Sequence, residues 1–284
     1  MTNKTKPLFI AAAILVLLQF AAGFDAARKN SQTYDEAVHI AAGYSYWKTG
    51  DFRMNAADHP PFVKLIAALP LIIFIHPDFI PPSHPWRIDL HANQFKAGDY
   101  FLYKNRIPAE RILTASRTAM LVMSAFFSVM FFVIVRRLYD DITALFALLF
   151  WVFCPSVFAN TFLVTTDFAA AIFYFMTFYF FYKTFERSDE QKNRIFITAA
   201  ISGIVGGLAL ASKFSSILML PSIAIIWAII FTTGGGKRYI LKNKKEKTPT
   251  EPLKTQIKFT NMTAVFVVFS LTAFLTLWMT YFFK

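Results

Sequence analysis

Charge is scarce in this chain. Asp, Glu, Lys and Arg make up 16% of its 284 residues, where a soluble domain carries about a quarter. Cysteine is nearly absent. The lone Cys154 excludes an intrachain disulfide and a cysteine-built metal cluster, and its place in an apolar run reads as packing. Acids are few beside bases, 17 against 29, for a net charge of +12. Such an excess raises the question of a nucleic-acid partner, but its placement argues against one. Eight of the basic residues fall between Lys237 and Lys258, in one loop between apolar stretches. That is how a cytoplasmic loop facing anionic lipid is built.

What is abundant is apolar. Hydrophobic residues reach 56%, and the 34 Phe exceed what one soluble core of this size can pack. The apolar runs are long rather than alternating, so the expected class is an all-α polytopic membrane protein. Seven stretches are long enough to cross, near 8–24, 112–135, 142–159, 168–182, 195–211, 214–231 and 259–283. Lys4 and Lys6 ahead of the first make it a signal anchor, while Ala21, Ala22 and Gly23 leave cleavage open. Either outcome places residue 25 onward outside.

The stretch 61–75 is apolar but short, and Lys64 and Pro70 interrupt it. If it crossed, the basic run would move outside, against the positive-inside rule. It is therefore expected to lie at the interface or to re-enter from outside. The resulting topology puts Arg136–Arg137, Lys183–Arg194 and the loop at about 232–258 inside. It puts the loop at about 25–111, the turn 160–167, Ser212–Lys213 and the C-terminus outside. The whole reads as one membrane domain, 1–284, with the active site carried by the first outer loop.

That loop is where the polar chemistry collects. Asp35-Glu36 is an adjacent acidic pair soon after the first helix, flanked by Tyr34 and Tyr44. It reads either as a solvated pair favoured by a helix N-terminus or as a general base for an acceptor hydroxyl. Glu36-Ala-Val-His39 has i, i+3 spacing, but a di-metal bundle needs two such motifs and only one is present. A single divalent metal, helped by Asp35 and Asp167, stays open, and no cofactor is otherwise indicated. In His59-Pro60-Pro61-Phe62-Val63-Lys64 the prolines enforce an extended lead into a helix. Lys64 then faces either headgroups or a bound phosphate, with snorkelling as the plainer reading. Asp167 reads as a cap with Thr165 or Thr166 or as a site residue. Arg117, five residues inside a span, calls for an anionic partner. Gly203-Ile-Val-Gly-Gly207 reads as close helix packing. The Phe- and Tyr-dense run 168–182 reads mostly as lipid-facing surface, with an isoprenoid groove left open.

Together these residues resemble the N-terminal part of a polyprenol-phosphate-dependent glycosyltransferase of the GT-C superfamily, similar to protein O-mannosyltransferases and aminoarabinose-transferase-like enzymes. The resemblance is carried by Tyr34-Asp35-Glu36-x-x-His39, Gly43-Tyr44-x-Tyr46-Trp47-x-x-Gly50-Asp51 and His59-Pro60-Pro61-x-x-Lys64-Leu65. Thr165-Thr166-Asp167 and Leu208-x-Leu210-x-Ser212-Lys213-Phe214 also fit. It implies inverting transfer of a sugar from a polyprenyl-phosphate donor to a hydroxyl of a protein, lipid or glycan, at the outer face of the cytoplasmic membrane. By motif, Asp35 becomes the base and Glu36 its support, Lys64, Arg117 and Lys213 hold the donor phosphate, and His39, Tyr44, His59 and Asp167 support the site. Relatives of this kind usually have more spans, so a missing C-terminal part is expected. A lipid-linked-sugar flippase and an inactive truncated scaffold are the rival readings. The first calls for charges near the bilayer midplane and repeat symmetry, whereas the charges here gather at one face.

Overall fold

The computed structural model describes residues 6–79, 93–185, 192–232 and 259–284. The basic run 237–258 and the middle of the Lys183–Arg194 connection lie outside the described residues. In chain order the helices are α1 (Lys6–Lys29), α2 (Glu36–Thr49), α3 (Phe62–Pro70), α4 (Gln94–Tyr103), α5 (Ala109–Leu138), α6 (Asp141–Phe153), α7 (Pro155–Asn160), α8 (Asp167–Phe185), α9 (Lys192–Ser212), α10 (Met219–Thr232) and α11 (Phe259–Thr280). No strand occurs among the described residues, and the chain is an all-α polytopic membrane protein.

Among the described residues five helices are long and apolar enough to cross: Lys6–Lys29, Ala109–Leu138, Asp167–Phe185, Asn193–Ser212 and Thr263–Thr280. Two of the seven expected spans fall short of that. The stretch 142–159 divides at Cys154, whose extended backbone (ψ 117°) precedes Pro155 in the first turn of α7. Proline disfavours a helical conformation in the residue before it. The stretch 214–231 opens with a 3-10 turn, Phe214–Leu218, leaving 14 residues for α10. The stretch 61–75 becomes α3 followed by a π-helical turn, Leu71–Ile75. The expectation that residues 168–182 are mostly lipid-facing surface needs correction, because Phe168, Phe173, Tyr179 and Phe181 are all buried.

The chain falls into two compact units. The first is Met1–Ala169 with Ala211–Lys213. In it α1, α5 and α6 pack around Ala12, Phe132, Val135, Ala144, Leu148 and Val152. Ser128 on α5 ties the three helices together: its hydroxyl donates to Gln19 Oε1 on α1 (2.6 Å) and accepts from Trp151 Nε1 on α6 (3.0 Å). Such polar contacts hold helices where lipid supplies no hydrophobic drive. At its far end α5 carries Arg136 and Arg137, and Arg136 pairs with Asp141 and lies over the Phe9 ring at 4.7 Å. The loop helices α2, α3 and α4 complete this unit.

Backbone contact sets how α2 and α3 meet. A Cβ at Gly43 would lie 1.9 Å from the Lys64 carbonyl oxygen, so only glycine allows this approach. Trp47 Nε1 donates to Leu65 O (2.9 Å) across the same contact. α2 stops at Gly50, which adopts the left-handed conformation (φ 64°) and returns its N–H to Tyr46 O.

The second unit comprises Ala170–Leu210 and Phe214–Lys284. Here α9 and α11 meet closely. A Cβ at Gly203 would sit 2.3 Å from Phe269 O, and one at Gly207 2.5 Å from Ala273 O. The small-residue pattern read from the sequence thus packs two helices together. Ser202 Oγ donates to Thr177 O on α8 (2.9 Å).

Candidate functional site

At 1.5 Å per residue the 30 residues of α5 extend about 45 Å, more than the ~30 Å hydrocarbon core. Arg117, eight residues after Ala109, therefore sits about 12 Å along it. Its guanidinium is fully buried, and every donor it has is used. Nε and one Nη2 hydrogen go to Glu36 Oε1 and Oε2 (2.8 and 2.6 Å). The remaining three go to the carbonyls of Ala27, Asn30 and Ser31 (2.8–2.9 Å). Glu36 is equally enclosed and also accepts from the Thr33 and Val164 amides. Burial by itself would raise the Glu36 pKa, but the Arg117 bonds and charge, with those two amides, hold it below the usual range. This one ion pair binds the end of α1, the start of α2, α5 and the turn before α8.

His39 continues the knot. Its Nδ1 bonds Val164 O at 2.8 Å, and its ring meets the His59 ring edge-to-face at 5.2 Å. Burial, with Lys64 and His59 adding to it, pushes the His39 pKa down to about 4, so the ring is neutral at physiological pH. His59 is lowered as well, by burial first and then by Lys64, while Asp35 and Asp58 oppose the shift. Its Nδ1 is enclosed without a hydrogen-bond partner among the described residues.

Lys64 is turned into the unit rather than toward headgroups. Its ammonium donates to Asn55 O and His59 O (both 2.7 Å) and reaches Tyr46 Oη at 3.4 Å. Burial drives its pKa down to about 7, with Asp58 offsetting part of the drop. Sequence reasoning missed the residues that hold this arrangement. Asn55, in the left-handed conformation (φ 55°), presents its carbonyl to Lys64, while its side chain donates to Asp58 and Gln94. Gln94 in turn donates to Asp58 (2.6 Å). The available signal was an asparagine in a short polar connection, the residue besides glycine that most readily takes that conformation.

The other expected residues are placed as follows. Tyr44 is buried and its hydroxyl donates to Pro77 O (2.8 Å), away from the acidic pair. Asp167 and Lys213 form an ion pair between the start of α8 and the residue after α9. Asp35 is the N-cap residue of α2, but its side chain caps no amide. It is partly exposed, and both Asp35 and Lys213 act electrostatically on His59. The first unit thus collects Asp35, Glu36, His39, His59, Lys64, Arg117, Asp167 and Lys213 around the start of α2. Among the described residues, no group of three or more His, Cys, Asp or Glu is arranged to hold a metal ion.

A helical membrane protein that gathers acids and cations around one loop helix has the parts for chemistry on a lipid-borne, anionic substrate. Comparison with known proteins agrees with that class. Residues 110–248, just under half of the chain, match the family described as dolichyl-phosphate-mannose-protein mannosyltransferase. Over that stretch the chain is similar to membrane glycosyltransferases of GT-C type, which draw the sugar from a polyprenyl-phosphate carrier. The match includes Arg117, Asp167 and Lys213, while the acidic and His-Pro-Pro elements precede it. No curated protein and no solved structure matches the chain.

Proposed function

We propose that this chain transfers a sugar, with inversion, from a polyprenyl-phosphate donor to an acceptor hydroxyl at the extracytoplasmic face, using Asp35 as general base. The observation that carries the assignment is which acid remains available. Glu36 is held by Arg117, Asp58 by Asn55 and Gln94, and Asp167 by Lys213. Asp35 alone among these site carboxylates accepts no hydrogen bond from the described residues, and the buried knot next to it fixes its position. A base must have a lone pair to offer the incoming proton.

The same accounting sorts the cations. Arg117 and Lys64 have their donors occupied by protein oxygens, so we assign them to holding the site together. Lys213, about a third exposed and paired with an exposed Asp167, is the cation positioned to exchange its partner for a phosphate. In the reaction the acceptor hydroxyl gives its proton to Asp35 as its oxygen attacks the anomeric carbon. The bond from that carbon to the phosphate oxygen breaks on the opposite side. Polyprenyl phosphate leaves as a stable anion, which needs positive charge nearby more than a proton donor. The basic last turn of α5, Arg136 and Arg137, lies at the opposite end of that helix from Arg117 and supports the outward face for the site.

The test is Asp35→Asn in membranes supplied with radiolabelled polyprenyl-phosphate mannose, following label from the lipid to the acceptor fraction. Transfer is expected to fall by at least about 100-fold. A variant that transfers like the parent removes Asp35 from this role.

A further inference from the structure

Directly before the proposed base stands an aromatic ring that the fold supports from beneath and leaves open above. Tyr34 is 76% exposed, and it follows the polar stretch Asn30-Ser31-Gln32-Thr33 rather than lying on an apolar helix. Phe74 and Phe150, of similar exposure, lie on apolar helices where lipid accounts for them. The Tyr34 ring rests on Phe95 of α4, centroid to centroid 4.8 Å, at an angle of 37°. That placement depends on α4 closing tightly onto the first turn of α2. A Cβ at Gly98 would come within 2.8 Å of the Ala37 carbonyl carbon and the Val38 nitrogen. The glycine lets α4 approach, and the approach brings Phe95 under Tyr34.

The polar atoms around the ring are also incompletely satisfied. Gln32 Oε1 and Thr33 Oγ1, on the two residues before Tyr34, are enclosed without hydrogen-bond partners among the described residues, as is Thr165 Oγ1 beside Val164. Val164 and Thr33 both bind Glu36 through their amides, so Thr33 and Thr165 flank the same knot that holds Asp35. Unsatisfied polar groups are uncommon in folded chains and call for a partner. A tyrosine serving only as an interfacial anchor needs neither a ring beneath it nor unpaired acceptors beside it.

We infer that Tyr34, seated on Phe95, is the stacking platform for the pyranose ring of the acceptor, so that the hydroxyl-bearing substrate is a glycan. This rests on the transferase reading above. A pyranose presents an apolar C–H face, which the negative face of an aromatic ring attracts, and a rim of hydroxyls, one of which can reach Asp35 beside the ring. The attacking hydroxyl must meet Asp35, and Tyr34 is its immediate neighbour, so the ring belongs to the acceptor rather than to the transferred sugar. An extended peptide acceptor is commonly gripped along a strand edge, and no strand occurs among the described residues.

The test is saturation-transfer NMR on the full chain in lipid nanodiscs, with methyl mannopyranoside, methyl glucopyranoside and methyl galactopyranoside as probes and acetyl-Ala-Thr-Ala-amide as the peptide control. At least one glycoside is expected to receive saturation at its ring C–H protons. Tyr34→Ala should weaken that binding about tenfold, and Tyr34→Phe should stay within about threefold of the parent. Tyr103→Ala, at an exposed tyrosine that ends α4, should leave it unchanged. Phe95→Leu, checked for parental melting, removes the support while keeping the fold and should also weaken binding. The inference falls if no glycoside binds, if Tyr34→Ala binds like the parent, or if the peptide is the Tyr34-dependent ligand. Polyprenyl-phosphate mannose added to the Asp35→Asn chain separates the two sugars: persistence of the glycoside signal supports an acceptor subsite, and its displacement overturns it. Tyr34-dependent glycoside binding alongside parental transfer by Asp35→Asn would sink the base assignment and leave the platform standing.

Discussion

Glu36 and Arg117 show how one residue changes meaning between sequence and structure. In the sequence both carry the look of working groups, an acid next to an acid and an arginine inside a span. In the fold they neutralise each other at zero side-chain exposure, and they anchor the start of α2, next to the proposed base Asp35. Removing one member leaves a buried charge unpaired, a change that costs about 3–5 kcal/mol. Arg117→Gln is accordingly expected to melt well below the parent in detergent, and parental melting would show that the pair is dispensable. His39 supplies a pH dependence of definite sign. Its folded pKa of about 4 lies below the 6.5 of the unfolded chain, so the unfolded state binds more protons between those values. Stability present above pH 6.5 is lost as the pH falls toward 4, by roughly 3 kcal/mol, and Glu36 adds loss of the same sign below its ordinary value. His39→Gln should flatten the decline of melting temperature over that interval. An unchanged slope would assign the acid sensitivity elsewhere.

Among the elements, the His-Pro-Pro-x-x-Lys segment was legible as a lead into a short helix, and α3 begins at Phe62 just after the prolines, but the lead is not extended throughout, since Pro61 already has helical backbone (ψ −21°). The direction of Lys64 was not legible. A lysine one turn into an apolar helix reads as snorkelling, because nothing local reveals that Asn55 and His59 will fold back with two carbonyls aimed at it. Nothing local in the motif explains Gly43, which contact with the Lys64 backbone requires. Gly43→Ala places a methyl against a carbonyl rather than a flexible side-chain end, so α2 and α3 must separate. Strain of this kind costs about 1–3 kcal/mol, and the clasp around Lys64 moves with it. The expected result is a lowered melting temperature together with reduced transfer. A variant melting like the parent would mean that the helices part without cost.

For the whole molecule, the membrane class follows from composition, and the proposed orientation rests on where bases lie. That orientation is testable in a Cys154→Ser background. Ala57→Cys, exposed in the first outer loop, should react with a membrane-impermeant maleimide in intact cells. Tyr139→Cys, exposed after α5, should react only after permeabilisation, and the reverse pattern would invert the topology and move the proposed site inside. The span count was less legible than the class, since hydropathy does not register the break at Cys154–Pro155 or the 3-10 opening at Phe214. Unaided, the sequence determined the solvent this chain folds in, its helical character and the short roster of polar residues able to do chemistry, because lipid tolerates few of them and only for cause. Tertiary structure alone decided which of those residues are spent on one another and which are left to meet a substrate. A charge's availability depends on the oxygens and amides that surround it, and here these arrive from segments more than eighty residues apart.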